Sequence, residues 1–485
     1  MCPVPRAAGA GPAGLRGARA LFLCASAGLI LCLPPTVRAA GSGGEDLQAL
    51  AAEAREAVDR ATTFFVSIST RGGWAGIYSP DLEHRWGEAL YERCRPNEIW
   101  VQPPGTPSVG KVLLRAYRVT GERRFLSAAR DAGRALVWGQ REAGGWDHRA
   151  DVSHLTPEAT VPRRRKGPCT LDDNITQGAT DFLMDLDRTL DEPWLDDGVR
   201  RALGFLLESQ FPNGAWPQWY PLRGGYHDYW TFNDGAINDC IRVLLAAHRQ
   251  YGRPEFLAAA RRGGEFVVAS RLPPPQAGWA QQYDHRLRPA WARAFEPPAV
   301  CSAVTARNIR TLVDLAVYTR DARFLEPIPA ALAWLDRSRL PDGRWARFYE
   351  LGTNRPIYGD RDGKVHYTLE ELSEERRTGY SWQGEYGVAA ARAYYEKVRR
   401  AGPAAYAEQM AERARRRPSP EAAARRARAL APRVRAIIDA LDAKGRWIDA
   451  DGRIRSATFV EWMRVLCDFL EAVGAATAAA DRPGR

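Results

Sequence analysis

The sequence predicts an all-α fold of repeated, stacked helical hairpins, and three observations carry that expectation. Five short aromatic turns recur along the chain: Arg71-Gly72-Gly73-Trp74, Gly144-Gly145-Trp146, Gly214-Ala215-Trp216, Gly278-Trp279 and Gly343-Arg344-Trp345. Their tryptophans lie 72, 70, 63 and 66 residues apart. Before each turn, apolar residues recur at three- and four-residue spacing, as in Ala129-Ala132-Leu136-Val137 and Leu203-Leu206-Leu207, which is the period of a helix with one buried face. A second helix precedes several of these, joined by a shared linker: Thr120-Gly121-Glu122-Arg123-Arg124-Phe125-Leu126 resembles Tyr251-Gly252-Arg253-Pro254-Glu255-Phe256-Leu257. A lone hairpin cannot bury its apolar face, so such units stack, either as an open solenoid or closed into an α/α toroid.

The chain begins with a different kind of segment. Arg6, Arg16 and Arg19 precede the apolar run Ala20–Leu33, and Val37-Arg38-Ala39-Ala40 follows with small residues. Fourteen apolar residues are too few to span a bilayer comfortably. Residues 1–39 therefore read as a secretory signal peptide, which predicts a secreted or periplasmic protein without stable membrane insertion. The hairpins are expected to form one domain over residues 45–394. Within it, 346–391 reads as a polar, loop-rich excursion. Residues 395–485, Ala/Arg-rich and broken by Pro403, Pro418, Pro420 and Pro432, are expected to be a helical extension of unassigned role. A further Gly445-Arg446-Trp447 comes 102 residues after Trp345, outside the period.

Charge and cysteine content exclude several function classes. The net charge is +11, but residues 41–391 hold 45 basic and 46 acidic side chains, and residues 392–435 alone hold 13 basic and 4 acidic ones. The body is electrically neutral, which argues against a nucleic-acid partner. Behind the signal remain Cys94, Cys169, Cys240, Cys301 and Cys467, an odd set without a CxxC pair that allows one or two disulfides but no framework. The 7 histidines form no zinc signature. A monomer is expected.

The residues that could carry chemistry fall on loops. Leu171-Asp172-Asp173-Asn174 and Thr231-Phe232-Asn233-Asp234 each open a helix, where Asp and Asn ordinarily cap free amides. Trp216-Pro217-Gln218-Trp219-Tyr220-Pro221 clusters aromatic rings that could pack inward or stack on sugars. Arginines recur in Arg293-Ala294-Phe295-Glu296, Arg307-Asn308-Ile309-Arg310, Arg347-Phe348-Tyr349-Glu350, Asn354-Arg355 and Arg376-Arg377. Planar guanidinium groups are suited to clamp carboxylates on a polyanion, although surface ion pairs would also account for them singly.

At these motifs the chain resembles the family 10 polysaccharide lyases, the pectate (polygalacturonate) lyases. The similarity rests on Asn213-Gly214-Ala215-Trp216-Pro217-Gln218, Thr231-Phe232-Asn233-Asp234, Ala292-Arg293-Ala294-Phe295-Glu296, Ala346-Arg347-Phe348-Tyr349-Glu350 and Arg377-Thr378-Gly379-Tyr380-Ser381-Trp382, in collinear order. The resemblance implies an α/α barrel and Ca2+-dependent anti β-elimination on polygalacturonate or a related acidic polysaccharide, giving 4,5-unsaturated oligogalacturonides. It implies Asp172 and Asp234 at the calcium, and Arg310 as the base with Arg307 in reserve. Trp216, Tyr220, Arg293, Arg347, Arg355 and Arg377 are the substrate-binding candidates. Many members carry Lys where Trp291 stands here, which removes one cation. Two alternatives remain at this stage: a toroidal glycoside hydrolase using Asp172 and Asp234 as acid and base, or an inactive polysaccharide-binding relative.

Overall fold

The computed structural model describes residues 46–477 apart from 157 and 160; the signal-like segment lies outside the described residues. Fourteen helices follow among them: α1 (Leu47–Ser67), α2 (Thr106–Thr120), α3 (Arg123–Gly139), α4 (Ile175–Asp187), α5 (Pro193–Glu208), α6 (Ala236–Tyr251), α7 (Pro254–Ala269), α8 (Ser302–Thr319), α9 (Ile328–Arg337), the short α10 (Glu374–Thr378), α11 (Val388–Ala401), α12 (Pro403–Arg415), α13 (Pro420–Asp439) and α14 (Ser456–Thr477). The shared linker is the tip of a hairpin. Gly121 and Gly252 end α2 and α6 in the left-handed region, at φ 76° and 70°, and α3 and α7 start at once and pack back on α2 and α6.

The architecture is an α/α toroid. Neighbouring helices of the inner layer run in the order α14, α2, α4, α6, α8 and α11, with α3, α5, α7 and α9 packed outside them. The buried stripes of the two layers form one contiguous core.

Every Gly-Trp turn does the same structural work. Each indole N–H donates to a carbonyl of the helix before it: Trp74 to Phe65 (2.7 Å), Trp146 to Leu136 (2.8 Å), Trp216 to Leu206 (2.8 Å), Trp279 to Val267 (2.6 Å), Trp345 to Leu335 (2.7 Å) and Trp447 to Ile437 (3.0 Å). All six rings are buried. The bond satisfies a carbonyl near the helix C-terminus that the helix itself leaves free. The turn glycine is required where it approaches the next unit: Gly214 has φ 92°, and a Cβ there would lie 2.0 Å from the Arg262 carbonyl oxygen.

Trp447 is thus a sixth copy, and this corrects the expected organisation of the C-terminal segment. The boundary at 394/395 falls inside α11. The α13–α14 hairpin packs on α1 and α2, and Ile454–Arg455 pairs with Ile77–Tyr78, so the last hairpin meets the first helix. Its Ala/Arg composition conceals a buried stripe, Ala423, Ala427, Ala431, Val434 and Ile437, at helical spacing. The 346–391 excursion is loop-rich and carries short strands: Phe348–Glu350 lies between Ala299–Cys301 and Pro356–Gly359 in a four-stranded sheet. Cys94, Cys169, Cys240, Cys301 and Cys467 are all free and buried, so none of the allowed disulfides forms among them. No helix among the described residues is long and apolar enough to cross a membrane.

Candidate active site

The inner helices α4, α6 and α8 begin beside one another, and the turns that open α4 and α6 carry the acidic residues. Asp173 (φ 49°) and Asn174 (φ 56°) precede α4, and Asp234 (φ 44°) precedes α6, all in the left-handed region. Asp and Asn are among the few residues with a side chain that enter this region at modest cost. The turn projects neighbouring carboxylates toward one point. Asp172, Asp173 and Asp234 each bring an oxygen within 4.8 Å of the others.

Neutral donors hold the cluster. Gln218 Nε2 donates to Asp172 Oδ2 (2.5 Å), and Asn233 Nδ2 donates to Asp234 Oδ2 (2.8 Å) and Asp172 Oδ1 (3.4 Å). Burial, then the like charges of Asp234 and Asp173, raise the Asp172 pKa well above the usual carboxylate range. Burial, Asp234 and Glu88 push Asp173 up to about 7. Glu88 is itself raised, chiefly by burial, against a hydrogen bond from Gln102 (3.1 Å). His148 is held above its usual range: burial opposes its charge, but a 2.9 Å contact of Nδ1 with Asp147 and the field of Asp173 outweigh it. Crowded carboxylates of this kind keep a proton or take a cation.

Arginines meet Asp234 in a cavity of about 310 Å³ lined by Asn233, Asp234, Arg307, Arg310, Arg347 and Tyr386, among others. Arg307 and Arg310 leave the same exposed face of α8, one turn apart. Gly235 (φ 84°) makes room for Arg307, whose Nη1 lies 2.7 Å from where a Cβ would stand. Arg347 has its guanidinium 4.6 Å from the Tyr380 ring, and its buried Nε has no hydrogen-bond partner. Burial opposes its charge, but Tyr380, Cys301 and Asp234 more than offset that and raise its pKa. Arg293 is tied bidentately to buried Glu296 (2.9 and 2.6 Å), which also accepts from Tyr380 Oη (2.9 Å).

A family profile described as pectic acid lyase matches residues 140–344 and 342–390, just over half of the 485 residues. The chain belongs to the pectic acid lyase family. It is accordingly a lyase acting on polysaccharides. Solved structures similar to it include two of the family 10 polysaccharide lyase from Cellvibrio cellulosa. One is an aspartate-to-alanine variant in complex with trigalacturonic acid, 25% identical over 60% of this chain and 98% of that one, with TM-score 0.48. The other is 26% identical with the same coverage and TM-score 0.47. The GH76 α-mannanase of Bacteroides thetaiotaomicron is 10% identical over 91% of this chain and 98% of that one, with TM-score 0.42. No curated protein sequence matches.

The expected site residues separate into two groups. Asp172, Asp234, Arg310 and Arg347 come together at the triad and its cavity, and half-buried Arg293 lies in the electrostatic field of Asp234. Trp216 does not join them. It is 0% exposed and offers no face to a sugar, so the expected stacking role is corrected to packing of the turn. Tyr220 is engaged with α5, its hydroxyl on Glu208 (3.1 Å) and its ring edge on Phe205. Arg355 lies exposed over Tyr367, 3.9 Å from the ring centroid, outside the cavity lining. Arg377 is exposed while its neighbour Arg376 is buried against Phe295. Sequence reasoning missed Asp173 as a member of the cluster, with Glu88, His148 and Gln218 around it. Aligning Thr170–Asn174 on Thr231–Gly235 would have matched Asp173, not Asp172, to Asp234.

Proposed function

We propose that the protein is a secreted pectate lyase that cleaves polygalacturonate by calcium-dependent anti β-elimination. The observation that carries this reading is the cavity itself, where Asp234, one member of a cluster of three carboxylates, shares the lining with Arg307, Arg310 and Arg347. A hydrolase would need one acid and one base some 5–9.5 Å apart; three carboxylates within 4.8 Å fit a cation better.

Asp172, Asp173 and Asp234 would hold the calcium. Their hard oxygens suit it, and buried Asn233 Oδ1, which has no hydrogen-bond partner, is a further oxygen of the same kind. When bound, the cation would withdraw charge from the uronate carboxylate and so acidify the C5 proton. The unspent Arg347 Nε is suited to bind that carboxylate, with Arg293 beside it. Arg310 would take the C5 proton, with Arg307 in the same role if Arg310 is not the base. Accepting that proton requires the guanidine to be uncharged at the moment of transfer. The C5–H electrons become the C4–C5 double bond, the C4–O4 bond breaks, and O4 leaves with a proton from water.

The test is incubation with polygalacturonate at alkaline pH, with calcium and then with a chelator, following ultraviolet absorbance of the unsaturated uronide. A calcium-dependent rise that Arg310→Ala abolishes, with an unchanged melting temperature, is the expected outcome. New reducing ends without absorbance would replace the lyase by the hydrolase reading.

A further inference from the structure

The cationic excess of the chain sits on the surface of α12, the link to α13, and the first turns of α13. Residues 392–435 hold 13 basic and 4 acidic side chains, while residues 41–391 are balanced. Several of these arginines are spent on partners: Arg399 on Glu396 (2.9 Å), Arg416 on Glu412 (2.5 Å), Arg426 on Asp468 (3.0 Å) and Arg433 on Glu461 (2.5 Å). Arg413, Arg415, Arg417 and Arg428 are different. All four are exposed, and among the described residues none forms a salt bridge or a side-chain hydrogen bond.

The surface leads into a concave site. Asp468, which holds Arg426, also pairs with Arg115 of α2, and Arg115 lines a cavity of about 650 Å³ between α2 and α14. Arg55 and Arg464 line the same cavity, again with no acidic partner among the described residues. Like charges left unpaired repel one another and weaken the fold. A polyanion laid across them relieves that repulsion at many points at once, each point adding to the effective concentration for the next. The α12–α13 surface lies outside the residues that match the family profile, and none of these arginines lines the cavity beside the acidic triad.

We infer that the α12–α13 surface, running into the α2–α14 cavity, is a second, non-catalytic binding site for a polyuronate chain. The choice of polyuronate as the occupant rests on the lyase reading, because a polymer held at both sites carries one carboxylate on every sugar. Short oligomers held in the catalytic cavity do not need the second contact.

The test compares the full chain with a variant carrying Arg413→Ser, Arg415→Ser, Arg417→Ser and Arg428→Ser, positions exposed enough to leave the fold intact. At low salt the KM for polygalacturonate is expected to rise about three- to tenfold with kcat unchanged, an advantage screened away at high salt. The KM for trigalacturonate stays the same, and lysines at the four positions preserve most of the polymer affinity. An unchanged KM for the polymer overturns the inference and leaves the lyase reading standing. If the wild-type chain cleaves neither substrate, the lyase reading fails, and retardation in a polygalacturonate-containing native gel decides the inference separately. Retardation of wild type but not of the variant supports it. Capture by anionic vesicles without retardation by polygalacturonate overturns it in favour of a lipid surface.

Discussion

The turns at 170–174 and 231–235 are the same piece of structure used twice, and their differences explain the site. In both, a threonine hydroxyl caps the second amide after it: Thr170 accepts from Asp172 N and Thr231 from Asn233 N, each at 3.0 Å. In both, an aspartate follows in the left-handed region, Asp173 at φ 49° and Asp234 at φ 44°. The two turns differ on either side of that aspartate. Asp172 in the first becomes Asn233 in the second, so the cluster has three carboxylates and one amide that cross-links two of them. Asn174 becomes Gly235, and the absent side chain is where Arg307 sits. A repeat built for capping thus becomes an acid site in one copy and an acid–arginine junction in the next.

The comparison breaks most severely at the equivalent aspartates. Asp173→Asn and Asp234→Asn are each expected to lower kcat/KM on the order of a hundredfold or more and to weaken calcium binding in step; steady-state rates across a calcium titration check both. If the two turns were not equivalent, one substitution would be nearly silent.

Gly235→Ala should come next. A left-handed alanine costs about 1–2 kcal/mol, and its Cβ would displace the Arg307 guanidinium from 2.7 Å away. A melting-temperature drop together with a fall in kcat is expected, whereas a drop in stability alone would detach Arg307 from the chemistry.

Asn233→Asp makes the second turn match the first and adds a fourth carboxylate. The cation-free protein should lose about 1–3 kcal/mol at alkaline pH and regain it with calcium, as read by thermal melts with and without a chelator. The unmodified protein already contains the weaker form of this effect. Asp173 is raised to about 7 in the fold, above the ordinary unfolded value near 3.9. Its contribution to stability is therefore complete below that unfolded value and is lost as pH rises through about 7. The stabilisation by calcium should be larger at pH 8 than at pH 5, and an equal gain at both would mean that the carboxylates are not its ligands.

The smallest effect is expected from Asn174→Gly, which makes the first turn match the second. It relaxes a left-handed backbone but removes the 3.1 Å bond that Arg242 Nη2 donates to Asn174 Oδ1. Stability should stay within about 0.5 kcal/mol, with activity unchanged, by denaturant titration.

Much of the fold was legible because its signals are local. Five Gly-Trp turns and the helical spacing before them lie within a few turns of chain, and each tryptophan bonds 9 to 12 residues upstream. The sixth stands outside the period because the β excursion and α12 stretch the spacing before Trp447. The site was legible only as motifs. Asp172-Asp173 looked like one acidic pair, and only the left-handed backbone at Asp173 decides how both carboxylates reach Asp234. The cluster Trp216-Pro217-Gln218-Trp219-Tyr220-Pro221 offered Trp216 and Tyr220 as rings for a sugar, with Trp219 between them. Instead Trp216 anchors its turn, Trp219 stacks on His227 at 4.3 Å, and the Tyr220 hydroxyl donates to Glu208.

The sequence by itself determined a helical repeat, its Trp-anchored turns and membership of a lyase family, since periodicity, capping and collinear motifs need no knowledge of distant contacts. The tertiary structure alone decided that Asp173 and Asp234 converge, that Arg347 reaches the cavity while Arg355 and Arg377 do not, and that the C-terminal hairpin packs against the first helix. Those outcomes depend on how neighbouring hairpins pack side by side, and that packing brings together residues tens to hundreds of positions apart whose local patterns carry no mark of one another.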